Sequence, residues 1–297
     1  MKRFKTLLQR EWMQHHRGWL ILLALPMMLV VGIAAFASFQ FELDEGPADA
    51  LGATMLLGAG LTALTLGLAW GATLLMSPGL ARRDVQDRSI EFWVSLPIPH
   101  SHSVGAMLLM HLLALPLAAV LVGLLGAVVL SPLVVAKGWG IGQWFTLPWG
   151  DLLLAAVALA MRLWLGIVLV TLWLSPLIIG TMAASAWLKR WGVPAVVGGL
   201  TIGGVLMEKF YGITIIGDTL KYLFAEAATA GIAAVGGGEV KVNHPNELHD
   251  MLPMAPGWMM HDAGQALLAL ATPGFVATVL VGAAMFGLLV WRRARGQ

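Results

Sequence analysis

The stretch VGAMLLMHLLALPLAAVLVGLLGAV, Val104 to Val128, runs for 25 residues without an Asp, Glu, Lys or Arg. A helix rises about 1.5 Å per residue and the hydrocarbon of a bilayer is about 30 Å thick, so this run is long enough to cross it. In hydrocarbon no water meets the backbone N–H and C=O groups, and a helix satisfies them within the segment itself. Five other runs have similar length and character: Trp19 to Phe39, Leu51 to Leu75, Leu152 to Ile179, Val193 to Ile216 and Leu267 to Trp291.

Composition points the same way. Of 297 residues, 59% are hydrophobic and 11% charged, and the mean hydropathy is +0.82. So few charges cannot cover a surface that faces water, so lipid is the solvent for most of the chain. The expected fold is an all-α polytopic membrane protein, a single transmembrane domain over residues 1–297. Cysteine is absent, which removes disulfides and thiolate metal sites. Basic residues precede the first run, and Ala35, Phe36 and Ala37 have the spacing of a cleavage site. That run is longer than a signal peptide needs and five more follow, so it reads as a retained span.

Lys and Arg resist translocation in short loops and therefore mark the cytoplasmic side. They gather before the first run (Lys2, Arg3, Lys5, Arg10, Arg17), between the second and third (Arg82, Arg83, Arg88), between the fourth and fifth (Lys189, Arg190) and after the sixth (Arg292, Arg293, Arg295), which is 13 of the 18 Lys and Arg. Acidic residues gather in the two alternate loops, from Glu42 to Asp49 and from Asp218 to Asp262. Both termini are expected in the cytoplasm, with the chain in an inner or plasma membrane.

Two cytoplasmic stretches carry apolar stripes. In residues 1–17, Phe4, Leu8 and Trp12 recur at helical spacing while Lys2, Lys5 and Arg10 point elsewhere, which suits a helix lying in the interface. An ordinary basic flank would account for the charges but not for the stripe. Residues 82–101 read RRDVQDRSIEFWVSLPIPHS. With Asp87 as cap and Pro97 as stop, a short helix aligns Ile90 with Trp93 and Phe92 with Leu96, flanked by Arg88 and Glu91. Such a ridge either lies back on the membrane or docks on a partner, and aromatic anchors with a charged rim suit a protein partner.

DRSIEFWVSLP (Asp87 to Pro97), LWLSPLIIGTMAASAWLKR (Leu172 to Arg190) and LMEKF (Leu206 to Phe210), with the six-run layout, resemble the transmembrane (permease) subunit of ABC-2-type transporters over nearly the whole chain. The resemblance implies an N-terminal elbow helix and a cytoplasmic coupling helix. Through Asp87, Arg88, Ile90, Glu91, Phe92, Trp93 and Leu96, that coupling helix would rest on a separate cytosolic ABC ATPase. It also implies export and a homodimer carrying two ATPases. At Glu91 and Val94 the chain departs from the apolar and basic residues usual in the family, which changes the charge of the docking surface. No G-x-x-x-x-G-K-[ST] occurs, and VVGGLTIGGV (Val196 to Val205) lacks the lysine and lies in a run. ATP and Mg are therefore expected on the partner, with no cofactor on this chain, no enzyme activity of its own and no nucleic-acid partner.

Within the spans, Arg162 lies 11 residues after Asp151, about 16 Å along a helix and thus near mid-membrane. A cation there faces the bundle interior or a partner. Glu208, next to Lys209 in the fifth run, is the expected counter-charge. Two readings stand: a substrate-contacting or gating pair, or a structural pair or snorkelling arginine. Gly67-x-x-x-Gly71 and Gly199-x-x-x-Gly203 have the spacing of close helix approach.

Residues 217–266 read as an outer interfacial loop, with helix-forming composition from Asp218 to Ala234. His244, His249, Asp250 and His261 share it without a zinc spacing, so no metal site is expected. No convergent nucleophile and base is found at membrane depth.

Three function classes follow. The first is the path-forming subunit of an ATP-driven exporter, whose apolar interior suits a lipid-like cargo or an amphipathic peptide. The second is an ion-coupled carrier or channel, which calls for several facing midplane charges and repeated halves where this chain offers chiefly Arg162. The third is a non-transporting membrane anchor or sensor that keeps the docking ridge without a path.

Overall fold

The computed structural model of the chain describes residues 2–36, 47–83, 99–232 and 246–295. Among them there is no strand, and six helical stretches are long and apolar enough to cross a membrane: Phe4–Phe36, Ala50–Leu80, His100–Gly138, Trp149–Trp173, Ser175–Tyr211 and Pro273–Ala294. The all-α, six-stretch expectation is met. The helices in chain order are α1 (Lys2–Phe36), α2 (Pro47–Leu80), α3 (His100–Gly138), α4 (Ile141–Phe145), α5 (Trp149–Trp173), α6 (Ser175–Leu188), α7 (Gly192–Tyr211), α8 (Ile215–Gly231), α9 (Asn246–Met251), α10 (Ala255–Leu268) and α11 (Pro273–Ala294).

The expected division between an interfacial helix at 1–17 and a first span is not drawn: α1 is one helix of 35 residues. Gly18 lies at the expected joint, and one glycine costs a helix only about 1 kcal/mol. Side-chain stacking runs straight past it, since the Trp19 ring meets those of Trp12 at 6.0 Å and His15 at 5.7 Å. The coupling segment with Asp87, Arg88, Ile90, Glu91, Phe92, Trp93 and Leu96 lies outside the described residues.

The expected fourth span, Leu152 to Ile179, divides. Pro176 cannot donate a backbone hydrogen bond, so α5 ends at Trp173 and α6 restarts at Ser175. Lys189, with φ +55°, then turns the chain sharply into α7. Gly192 is required there, because a Cβ would fall 2.4 Å from the Ser185 backbone. The fifth run also ends early. Gly212, at φ +65°, closes α7 by donating to Glu208 O at 3.0 Å, and the chain leaves the helix before Ile216.

The described residues of 217–266, expected as an outer interfacial loop, are mainly helical. Within the helix-forming stretch from Asp218, residues up to Gly231 belong to α8, and the Pro- and Met-rich stretch farther on becomes a short 3-10 turn and α10. Both α8 and α10 pack against α5. The main core joins Trp173 and Met182 to Leu223 and Ala227 of α8 and Leu289 of α11.

Helices α2 and α3 pair along their length. Gly123 brings Thr62 and Thr65 against α3, and Thr65 Oγ1 donates to Ala119 O at 3.1 Å. One turn of α3, Leu109–Ala114, is a π-helix in which Leu115 N–H reaches five residues back to Met110 O. The same register would assign His111 O to residue 116, which is a proline without an N–H. Thr73 Oγ1 donates to that carbonyl from α2 at 3.0 Å.

Candidate functional site

Arg162 is 2% exposed on the inward face of α5. A bare guanidinium in such a place must find an acid and acceptors. Its Nε donates to Asp262 Oδ2 of α10 at 2.5 Å, and its Nη1 donates to Ala230 O at 3.1 Å. Ala230 belongs to the last turn of α8, whose carbonyls lack helical donors and form the negative end of the helix dipole. One turn along α5, Gly166 leaves room for this approach, because a Cβ there would stand 2.5 Å from Gly231 O. Arg162 thus clamps α8 and α10 onto α5, with Nη2 left without a hydrogen-bond partner among the described residues.

The expected pairing of Arg162 with Glu208 is therefore corrected. Glu208 and Lys209 are both exposed on α7, while Asp262, 5% exposed, faces Arg162 from α10. Asp262 was legible only as one acid in an apolar helix, in the run WMMHDAG; the loop reading of that segment hid its facing. Near α10, an apolar hollow of about 210 Å³ opens between α2, α3 and α5 under Leu252, Ala255 and Met259. Its polar lining atoms are already engaged: Thr54 Oγ1 donates to Ala50 O, and Trp149 Nε1 donates to Trp144 O. The hollow offers hydrocarbon contact and no hydrogen bonds.

A second charged site lies at the basic end of the bundle. Glu11 of α1 is fully buried. Arg83, just beyond α2, grips its carboxylate with two bonds, Nη2 to Oε1 at 2.9 Å and Nη1 to Oε2 at 3.2 Å, and Arg10 pairs with the same group. His15 Nδ1 donates to Glu11 O at 3.0 Å, which leaves Nε2 as the acceptor facing Arg83 Nη1 at 3.5 Å. His111 of the π-helical turn donates from Nδ1 to Met107 O at 3.0 Å, its ring edge-on to His15 at 4.7 Å. Glu11 is the one acid in residues 1–41; that lone charge among bases is the signal that could have pointed here.

Glu11, His15 and His111 are residue types that bind metals, and their ligand atoms lie within 4.8 Å of one another. They fit a metal poorly. The single carboxylate already faces two guanidiniums, and His15 Nε2 faces one of them, so a divalent ion would add charge to a group that is already net positive. The arrangement suits Arg83 as its resident cation.

Compared with known proteins, the chain matches no family model, no curated protein and no solved structure. Among the described residues, fold and sites together define a helical chain with six stretches long and apolar enough to cross a membrane, two short helices clamped on one of them by a buried ion pair, and a charged knot joining three helices at the basic end.

Proposed function

We propose that this chain is the membrane-spanning subunit of an ATP-driven exporter of the ABC-2 type. It would work as a homodimer with two cytosolic ABC ATPases, in an inner or plasma membrane and with both termini in the cytoplasm. The observation that carries this reading is the Glu11–Arg83 pair. Arg83 stands immediately before residues 84–98, the segment that would dock on the ATPase, and Glu11 fastens that root to α1 while His111 packs beside it from α3. A push on the segment would reach three helices at once, because a buried, bidentate pair transmits displacement without slack. The apolar hollow beneath α10 supports a lipid-like cargo or an amphipathic peptide.

A pull-down of the tagged chain from mild detergent tests the partner. The expected result is a bound soluble ATPase that Trp93→Asp releases while membrane insertion is unchanged. Retention by the variant, or no bound ATPase, would move the carrier and anchor readings ahead.

A further inference from the structure

Helices α6 and α11 meet at the basic end in a stack of aromatic and cationic side chains. The Trp187 and Trp291 rings lie 18° from parallel with centroids 5.5 Å apart. The Arg292 guanidinium sits 5.0 Å from the Trp187 centroid, and that of Arg295 sits 3.8 Å from the Trp291 centroid. Next to the stack, Arg190 lies 6.0 Å from the ring of Trp191. The three indoles remain 42–63% exposed.

We propose that this stack binds the phosphate headgroup of an anionic phospholipid from the surrounding bilayer. A guanidinium laid on an indole face is held in place with its N–H edge outward, which is the geometry that grips phosphate oxygens. Lys189, Arg190 and Arg295 carry three positive charges. Among the described residues no acid pairs with these three cations, which makes them complementary to an anion. The occupant is a lipid rather than free phosphate because the cations ride on exposed indoles where two helices of the bundle end, with exposed Leu188 and Leu288 alongside. Indole rings settle at the headgroup level, and the two leucines offer acyl chains an apolar path that a free ion would leave uncovered. This site is independent of the transport reading and holds for any function of the chain.

Native mass spectrometry of the full chain, released from detergent with added phosphatidylglycerol, phosphatidylcholine or inorganic phosphate, tests the proposal. The wild type should retain phosphatidylglycerol over phosphatidylcholine. Arg190→Gln/Arg295→Gln should weaken that retention about 25-fold, from roughly fivefold per cation near a membrane surface. Arg190→Lys/Arg295→Lys, which keeps the charge but loses the stacked planar fork, should weaken retention by less than the glutamine pair does and by more than about threefold, and Lys5→Gln/Arg17→Gln should leave it unchanged. Equal retention of the two lipids, displacement by millimolar inorganic phosphate, or a glutamine double variant that binds like the wild type would each overturn it. So would a glutamine double variant that keeps the lipid and loses a soluble protein partner.

Discussion

Arg162 Nε donates to Asp262 Oδ2 at 2.5 Å, so a cation on a 25-residue span is answered by a 14-residue helix too short to cross a membrane. Removing one partner should therefore cost more than removing both. Arg162→Met strands a buried carboxylate and releases Ala230 O, an expected loss of about 3–5 kcal/mol. Arg162→Met/Asp262→Leu should recover most of it, because well-packed apolar pairs often replace buried ions at little cost. Thermal unfolding in detergent checks this; a double variant no better than the worse single one would mean that shape, not charge, holds α10 down.

At the other end of the bundle, Glu11→Gln keeps the shape of the side chain but leaves Arg83 one acceptor oxygen instead of two and sets an N–H2 donor against the guanidinium at the other position. The expected cost is about 1.5–3 kcal/mol, read as a lower Tm and faster hydrogen exchange at the start of α3. Under the exporter reading the same variant should hydrolyse ATP in complex but move less cargo per ATP. Unchanged coupling would take the root of the segment out of the power stroke.

The spans were legible because crossing hydrocarbon demands length and apolarity, and both stand in the sequence whatever packs beside them. What was hidden depends on facing. Gly67, Gly71, Gly199 and Gly203 have the spacing of close approach, yet a Cβ on any of them meets nothing within 4 Å. The close approaches to another helix's backbone fall at Gly123, Gly166 and Gly192, and of these only Gly123 lies in a small-residue repeat, Ala119-x-x-x-Gly123-x-x-x-Ala127. Arg162 stood out as costly, but its partner could not be read, since α10 reaches α5 from 100 residues away. The packing of residues 217–266 was hidden for a related reason: α8 and α10 cover their small and apolar faces on α5, which is distant in sequence.

Those glycines give a paired prediction. In Gly123→Ala the new methyl would lie 2.5 Å from Thr62 Cα, and backbone cannot rotate away. Forcing α2 and α3 apart should cost about 1–3 kcal/mol. Gly67→Ala adds the same methyl to open space and improves helix propensity, so it should be neutral or stabilising by up to about 1 kcal/mol. Measured Tm shifts of equal size and sign would show that the α2–α3 contact does not depend on Gly123.

The Thr73 hydroxyl and the Pro116 ring are two halves of one substitution pattern, and a double-mutant cycle can separate them. Thr73→Val keeps the side-chain shape but strips the donor from His111 O, a carbonyl that π-helical register and Pro116 leave without a backbone partner. Its expected cost is about 1–3 kcal/mol, the penalty for a buried polar group left unpaired. Pro116→Ala restores an N–H to the chain. His111 O then gains a backbone donor, whether the turn stays π-helical or relaxes to α. In that background Thr73→Val should cost less than about 1 kcal/mol, close to the net worth of an ordinary hydrogen bond already replaced. Equal costs in both backgrounds would show that the hydroxyl stabilises α2 through its other bond, to Ala69 O at 2.9 Å, and that the π-helical turn draws nothing from it.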